Sequence, residues 1–98
     1  MQSITPAQLK QKLDSKEDIQ LIDVREPDEH EEFNIGGDLI PLGEIIQQAD
    51  KISKSKEVIF YCRKGIRSQF AIQRLLDKFP YTNLINLIGG TEGWKREV

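Results

Sequence analysis

The sequence predicts an α/β fold built on a mainly parallel sheet. Short apolar segments of strand-forming residues alternate with segments in which apolar residues recur at helical spacing. The segment Ile19–Val24 is apolar on both faces except at Gln20 and Asp23, which is typical of a parallel strand covered on both sides. No linker or internal repeat interrupts the alternation, so we expect residues 1–98 to form a single domain.

The chain is expected to open with a strand and a capped helix. Ser3-Ile4 is predicted to be a short edge strand. Thr5 then provides the cap of a helix, with Pro6 in the first turn and Gln8 at the position that completes a capping box. The strand at Ile19–Val24 follows this helix after a polar turn.

The middle of the chain is predicted to contain two helices separated by a short strand. Pro27–Phe33 is expected to be a brief helix with its acidic residues favourably placed in the first turn. The lone His30 on this charged helix is expected to be exposed and without a role. Leu39-Ile40 is predicted to be a strand, and the apolar residues between Ile45 and Ile52 fit an amphipathic helix.

The last third of the chain is predicted to form a helix, a strand and a final helix. The apolar residues from Ala71 to Phe79 recur on one helical face, and the proline after Phe79 ends that helix. A strand is expected at Leu84–Ile88, followed by a turn at Gly89-Gly90. Thr91 is expected to cap the last helix, in which Trp94 braces the core rather than binding a ligand.

The strongest functional pattern surrounds the chain's single cysteine. The buried-strand pattern Val58–Tyr61 leads directly into Cys62, and a helix is predicted a few residues later. The first amides of a helix lack partners within it, and a compact loop there can direct several N–H groups at an anion. Such surroundings stabilise a thiolate, so we interpret Cys62 as a nucleophile. Taken alone, a cysteine at the end of a strand is more often a small buried hydrophobe.

The loop after Cys62 changes that balance, because it is purely basic. Arg63, Lys64 and Arg67 surround the thiol with positive charge, and no acidic residue occurs between Val58 and Leu76. Gly65 suits a tight loop that needs a positive φ angle. The predicted cradle for the sulfur and its substrate comprises Arg63, Lys64, Gly65, Ile66, Arg67 and Ser68.

Composition excludes several classes of function. The formal net charge of −2 is too small to indicate a nucleic-acid partner. One cysteine cannot form an internal disulfide, and one cysteine with one histidine poorly supplies a zinc site. No apolar run is long enough to span a membrane, and no signal segment is present, so a cytoplasmic location is expected.

Four motifs in order resemble the rhodanese-like (sulfurtransferase) family. The segment Cys62–Arg67 is similar to the family's active-site loop C-x-x-G-x-R, and Leu21–Pro27 is similar to the D-V-R segment that opens many such domains. Ile40–Leu42 resembles the I-P element of the family, and Leu87–Trp94 resembles the closing L-x-G-G-x-x-x-W. Asn34 stands where the family places a histidine, and the following turn is one residue short.

The resemblance implies a fold and an activity. It implies a central sheet of four or five strands with helices on both sides. It also implies that Asp23 helps to hold the active loop and that Arg25 forms a structural ion pair. The implied reaction moves a sulfane sulfur from thiosulfate or a related persulfide donor, through a persulfide on Cys62, to a thiol or cyanide. Two exchanges at one sulfur need neither a metal nor an organic cofactor.

Two alternatives share the same loop. A cysteine phosphatase needs five residues between its cysteine and arginine, whereas four separate Cys62 from Arg67 here, and no persuasive general acid is present. The shorter loop suits a smaller group, such as one added sulfur atom. The second alternative is a non-enzymatic module that relays persulfide sulfur to a partner protein. The sequence does not identify the physiological donor or acceptor.

Overall fold

A computed structural model describes residues 1–98 as a parallel sheet of five strands flanked by four helices, which confirms the predicted α/β architecture. The strands lie in the order β1-β5-β4-β2-β3. The strands are β1 (Gln2–Ile4), β2 (Ile19–Asp23), β3 (Asp38–Leu39), β4 (Glu57–Tyr61) and β5 (Leu84–Leu87). The helices are α1 (Pro6–Asp14), α2 (Pro27–Glu32), α3 (Arg67–Lys78) and α4 (Gly90–Glu97). None of the four helices combines the length and the apolar composition that a membrane-spanning helix requires.

Strand β4 lies at the centre of the sheet, and its side chains alternate between two apolar cores. Val58 and Phe60 face the core that packs under α3, where Ala71 is also buried. Ile59 and Tyr61 face the opposite core, which receives side chains from α1 and α4. Because each face of the sheet is covered, both faces of β4 can be apolar, which explains why its sequence reads as a continuous apolar run.

The predicted N-terminal cap of α1 is present. The Thr5 hydroxyl accepts a hydrogen bond from the Gln8 amide at 3.1 Å, and the Gln8 side chain accepts one from the Thr5 amide at 2.9 Å. Two amides that the helix itself leaves without partners are therefore satisfied. The cap directs the chain from β1 across the face of the sheet, where Leu9 is fully buried.

The prediction of an amphipathic helix between Ile45 and Ile52 is wrong. The chain instead forms two short 3₁₀ turns, Leu42–Glu44 and Ala49–Lys51, joined by a turn. Ile45, Ala49 and Ile52 are nevertheless buried in the core beneath α3. The apolar spacing therefore predicted the burial correctly, while most backbone hydrogen bonds here run between residues three apart.

The start of α4 also differs from prediction, since Thr91 does not cap the helix. Gly89 occupies the cap position with φ +78°, and Thr91 lies inside the first turn, where it is buried. Its amide donates to the carbonyl of Cys62 at 2.8 Å. The amino end of α4 is thus anchored on the loop that follows β4, at the carboxyl edge of the sheet.

Candidate active site

Cys62 follows the last residue of β4, and its sulfur lies inside the loop that leads to α3. The Gly65 amide donates to Sγ at 3.1 Å, and Sγ lies 3.5 Å from the Ser68 hydroxyl oxygen. The residue is 1% exposed, and its other flank packs against the apolar core under α3. The loop therefore encloses the sulfur with polar groups rather than leaving it in an open bowl.

Gly65 bends the loop over the sulfur. Its φ angle is +95°, a value that side chains other than glycine rarely adopt, and it agrees with the positive angle expected from the sequence. A Cβ atom here would lie 3.2 Å from the Gly89 nitrogen and 3.3 Å from the Leu87 carbonyl oxygen. Glycine is thus needed both for the turn and for close packing against the segment that follows β5.

The amino end of α4 holds the outer side of the loop. Its first amides donate to the carbonyls of Cys62 at 2.8 Å and Arg63 at 3.0 Å. In a trans peptide the carbonyl and the next amide point in opposite directions. Turning the Arg63 carbonyl towards α4 therefore turns the following amide, that of Lys64, back towards the sulfur. The two helix termini thus cooperate in making the loop a ring of inward-pointing donors.

These donors change the acidity of the thiol. Burial raises the pKa of Cys62, but the ionised sulfur accepts hydrogen bonds from the Ser68 hydroxyl and from backbone amides, and these bonds outweigh burial and bring the pKa below its ordinary value. The amides are those of Ser68, Gly65 and Lys64. These hydrogen bonds therefore lower the pKa of the thiol more than the charges of the loop cations do.

The loop cations are largely paired by acids from distant segments. Arg67 binds both carboxylate oxygens of Glu29 on α2, at 2.7 and 2.8 Å, and this contact brings the pKa of Glu29 down to about 2. Arg63 donates to Glu92 on α4 at 2.8 Å. Lys64 is exposed and forms no ion pair. The loop is therefore less positive than its sequence indicates, and Lys64 is the loop cation that has no acidic partner.

The remaining loop residue, Ile66, is 58% exposed and lies just before α3. One turn later, Phe70 is 57% exposed. The Phe70 amide donates to the Ile66 carbonyl, so the two residues are neighbours on the helix surface. The outer face of the loop is thus partly apolar.

Asp23 and Arg25 form a buried pair beside the loop. The guanidinium binds both Asp23 oxygens, at 2.9 and 2.7 Å, and also donates to the Phe33 carbonyl at 2.6 Å. Asp23 also lies 2.9 Å from the His30 ring, so the expectation of an exposed and idle His30 is wrong. No hydrogen bond joins Asp23 to the loop itself, and the pair instead secures the chain between β2 and the end of α2.

Ser68 is fully buried, and its hydroxyl reaches a residue that the sequence analysis missed. The hydroxyl donates to the side-chain oxygen of Asn86 on β5, and the Asn86 amide nitrogen lies 3.4 Å from the Gly65 carbonyl. A lone amide within the apolar strand Leu84–Leu87 was the available signal. Glu29 and Glu92 could not have been found in this way, because nothing in the sequence places them beside the loop.

A cleft of about 220 Å³ lies beside the loop, and Cys62 does not line it. Arg63 borders the cleft together with Arg25 and with acidic and basic residues of α2 and α4. Two larger clefts, of about 530 and 460 Å³, lie near the amino ends of the strands, at the end of the sheet opposite to Cys62. Of these three clefts, only the one beside the loop includes a residue of that loop in its lining.

Comparisons with known proteins agree with the fold. The family model described as a rhodanese-like domain matches residues 5–97. YrkF of Bacillus subtilis, provisionally named a sulfur carrier protein, is 37% identical over 86 residues, which cover 87% of this chain and 46% of YrkF. The thiosulfate sulfurtransferase GlpE of Coxiella burnetii is 37% identical over 81 residues, covering 82% of this chain and 75% of GlpE. A rhodanese-like domain protein from Staphylococcus aureus has a similar structure, with a TM-score of 0.85, 28% identity, and coverage of 96% and 91%.

Proposed function

This chain belongs to the rhodanese-like domain family, and from that membership we propose that it is a thiosulfate-type sulfurtransferase acting through Cys62. The observation that carries the proposal is the set of loop donors around Sγ, which lowers the pKa of the thiol. We further propose that residues 1–98 work as a single domain. The relatives' names support sulfur transfer or sulfur carriage in general, and the choice of thiosulfate as donor is our own inference.

The proposed reaction is a double displacement at one sulfur. The Cys62 thiolate attacks the outer sulfur of thiosulfate, so that a new S–S bond forms while the bond to the sulfonate breaks. Sulfite leaves with the electron pair of that bond. A thiolate or cyanide then attacks the terminal sulfur of the persulfide, and Cys62 departs as a thiolate. Each step exchanges one sulfur bond for another, so no net oxidation occurs.

We assign separate tasks to the residues of the loop. The backbone amides of Gly65 and Ser68 donate to the sulfur, and the same amides would bind the terminal sulfur of a persulfide. Lys64, which has no acidic partner, attracts the anionic donor. Arg67 is a positioning residue, because its guanidinium is bound to an acid of α2. Ile66 forms part of the surface that an acceptor meets.

Three further residues shape and support this site. Arg63 steadies departing sulfite by exchanging its contact with Glu92 for the product. Asp23 and Arg25 act as structural support, since their paired side chains are buried and join β2 to the end of α2. Neither of these two residues is assigned contact with the substrate.

Access to the sulfur is the main physical demand on this proposal. A residue that is 1% exposed cannot meet a donor while the loop keeps its observed shape. We therefore propose that the loop residues between Cys62 and α3 move outward when the donor binds. Three of them, Arg63, Lys64 and Ile66, already have exposed side chains. Moving the loop outward therefore breaks few buried apolar contacts.

Intact mass after incubation with thiosulfate tests the proposal. The wild-type protein is expected to gain one sulfur atom as sulfite is released, and cyanide is then expected to remove that sulfur as thiocyanate. Cys62→Ser is expected to gain nothing while keeping the melting temperature of the parent. Transfer at the parental rate by that variant would place the nucleophile elsewhere and refute the assignment.

A second candidate is a persulfide relay that serves a partner protein, favoured by the provisional name of YrkF. Both candidates load Cys62 with sulfur, so turnover separates them. A free-standing enzyme releases many equivalents of sulfite per protein when cyanide is the acceptor. A relay module releases about one equivalent and then stops until a protein acceptor is added.

A further inference from the structure

The hydroxyl of Ser68 lies between two groups that compete for it. On one side Sγ of Cys62 is 3.5 Å away, and on the other the hydroxyl contacts the side-chain oxygen of Asn86. Ser68 is 0% exposed and Asn86 is 3% exposed, so solvent does not supply alternative partners. The arrangement links the reactive sulfur to β5 through one hydroxyl group.

Counting protons shows what this link does. A serine hydroxyl has one proton, and the oxygen of an amide side chain has none to offer. Asn86 directs its nitrogen towards the Gly65 carbonyl, so the contact between Ser68 and the Asn86 oxygen must use the serine proton. The contact between Cys62 and Ser68 can then be donated only by the thiol S–H. This arrangement stabilises the protonated sulfur.

We propose that Asn86 is a positioning residue that holds the Ser68 proton away from Cys62 and so favours the thiol over the free thiolate. When the thiol ionises, the Ser68 hydroxyl must turn towards Sγ to donate to it. The buried oxygen of Asn86 then loses its donor, which disfavours the ionised state. The Ser68 hydroxyl therefore has two positions, one for each protonation state of the sulfur.

The loaded state of Cys62 places different demands on the Ser68 hydroxyl, an inference that rests on the proposed sulfur transfer. In a persulfide the inner sulfur has neither a proton nor a full charge, because the charge lies on the terminal sulfur. Ser68 is then free to donate to Asn86 again. Asn86 thus stabilises the persulfide relative to the empty thiolate and slows the loss of sulfur before an acceptor arrives.

The charged groups around the sulfur do not take part in this exchange. On α2, α3 and α4 they occur as ion pairs, and none of them forms a hydrogen bond with Ser68 or Asn86. Variants of these two residues therefore leave that charge environment in place. The charged groups that face the site are Asp23, Arg25, Glu29, Arg63, Lys64, Arg67 and Glu92.

The rate of alkylation by iodoacetamide as a function of pH tests the proposal without any need for turnover. Asn86→Leu removes the acceptor while keeping a side chain of similar branching. We expect the variant to be alkylated about three- to tenfold faster than wild type at pH values below the midpoint of the Cys62 titration. The reason is that Ser68 can then donate to the thiolate without leaving a buried acceptor unpaired. In a Ser68→Ala background, adding Asn86→Leu is expected to leave the alkylation rate of Cys62 unchanged. An unchanged or slower rate for Asn86→Leu, or the same acceleration without Ser68, would overturn the proposal.

A matched control separates this effect from a general loss of stability. Asn83→Leu removes another amide, which binds the carbonyls of Ser53 and Lys56 far from Cys62. It is expected to lower the melting temperature and leave the alkylation profile unchanged. Should Asn86→Leu fail to fold, Asn86→Ala removes the same acceptor without adding bulk and carries the same expectation.

Persulfide lifetime provides the second readout. After thiosulfate loading, Asn86→Leu is expected to lose its added sulfur faster than wild type, by a factor similar to that found in alkylation. If wild type gains no sulfur at all, the proposed function fails, yet the alkylation profiles still decide the role of Asn86. A loaded variant whose sulfur is as long-lived as that of wild type would refute the claim about the persulfide.

Discussion

Gly90 lies where α4 packs tightly against the loop that contains Cys62, so Gly90→Ala is expected to disturb both the fold and the surroundings of the sulfur. A Cβ atom at this position would lie within 2.6 Å of the backbone carbon and oxygen of Arg63, and closer still to the carbonyl oxygen of Cys62. The φ angle of Gly90 is +58°, which alanine adopts only under strain. The first amides of α4 would have to move away from the carbonyls that they bind.

The magnitude follows from these distances. Ordinary nonbonded contacts begin near about 3.4 Å, so the loop and α4 must separate by about 1 Å. The positive φ angle costs an alanine about 1–2 kcal/mol, and forced separation of packed backbone adds about 1–3 kcal/mol. A total of about 2–5 kcal/mol is a large part of the stability of a domain this size, which is about 5–15 kcal/mol. The amides that face Sγ lose their alignment at the same time.

Two other glycines provide matched controls for the urea-unfolding and alkylation measurements. Gly43→Ala meets nothing within 4 Å and has no unusual φ angle, so its stability is expected to equal or exceed that of wild type by up to about 1 kcal/mol. Gly36→Ala also meets nothing but has φ +107°, so it isolates strain. We expect Gly90→Ala to exceed Gly36→Ala in loss of stability and to be the only one of the three that alters alkylation of Cys62. Equal losses at Gly36 and Gly90, with unchanged alkylation in both, would refute the claim that α4 shapes the loop.

Three further predictions address the loop. Glu29→Gln is expected to cost about 1 kcal/mol at pH 7, because it breaks a partly exposed bidentate pair with Arg67. Folding lowers the pKa of Glu29 from 4.5 to about 2, so in urea titrations the wild-type advantage should decline as the pH falls below 4.5 and be lost as it falls through about 2. An advantage as large near pH 2 as at neutral pH would contradict this. Enclosure of the sulfur predicts that native Cys62 reacts much more slowly with a bulky aromatic disulfide than with the small reagent methyl methanethiosulfonate. Measured by stopped-flow mixing, the ratio of the two rates is expected to differ by more than about tenfold between the native protein and the protein unfolded in urea. Equal ratios in the two states would indicate an open sulfur. Lys64→Ala is expected to raise the KM for thiosulfate about two- to fivefold at low salt and less at high salt. Arg63→Ala is expected to raise this KM less, because Glu92 already offsets the charge of Arg63. A change in KM that does not depend on salt would exclude attraction by charge.

Much of the architecture was predictable because it depends on local patterns. The capping box at Thr5 and Gln8, the buried strand leading to Cys62 and the positive φ angle of Gly65 each follow from a few neighbouring residues. The segment between Ile45 and Ile52 shows the limit of such reasoning. Its spacing predicted which side chains are buried, while the backbone adopted tighter turns than an α-helix.

His30 and Asn86 show a different limit, since their partners lie in other secondary-structure elements. A histidine on an acidic helix gives no indication that it contacts Asp23, seven residues earlier. The amide of Asn86 interrupts an apolar strand, yet only the pairing of β5 beside β4 brings it to the loop of Cys62. The sequence could therefore nominate the sulfur and its loop, while the groups that tune the sulfur came from elements folded against it.

By itself, the sequence determined the alternation of strands and helices, the position of Cys62 at the end of a buried strand and the glycine that bends the loop. Tertiary structure alone decided how acidic the surroundings of that loop are, because Glu29 and Glu92 neutralise cations that read as free in the sequence. It also decided the hydrogen-bond partners of the sulfur. The physical reason is that charge and hydrogen bonding act over a few ångströms in space, and residues far apart in the chain reach that distance only when the helices pack on the sheet.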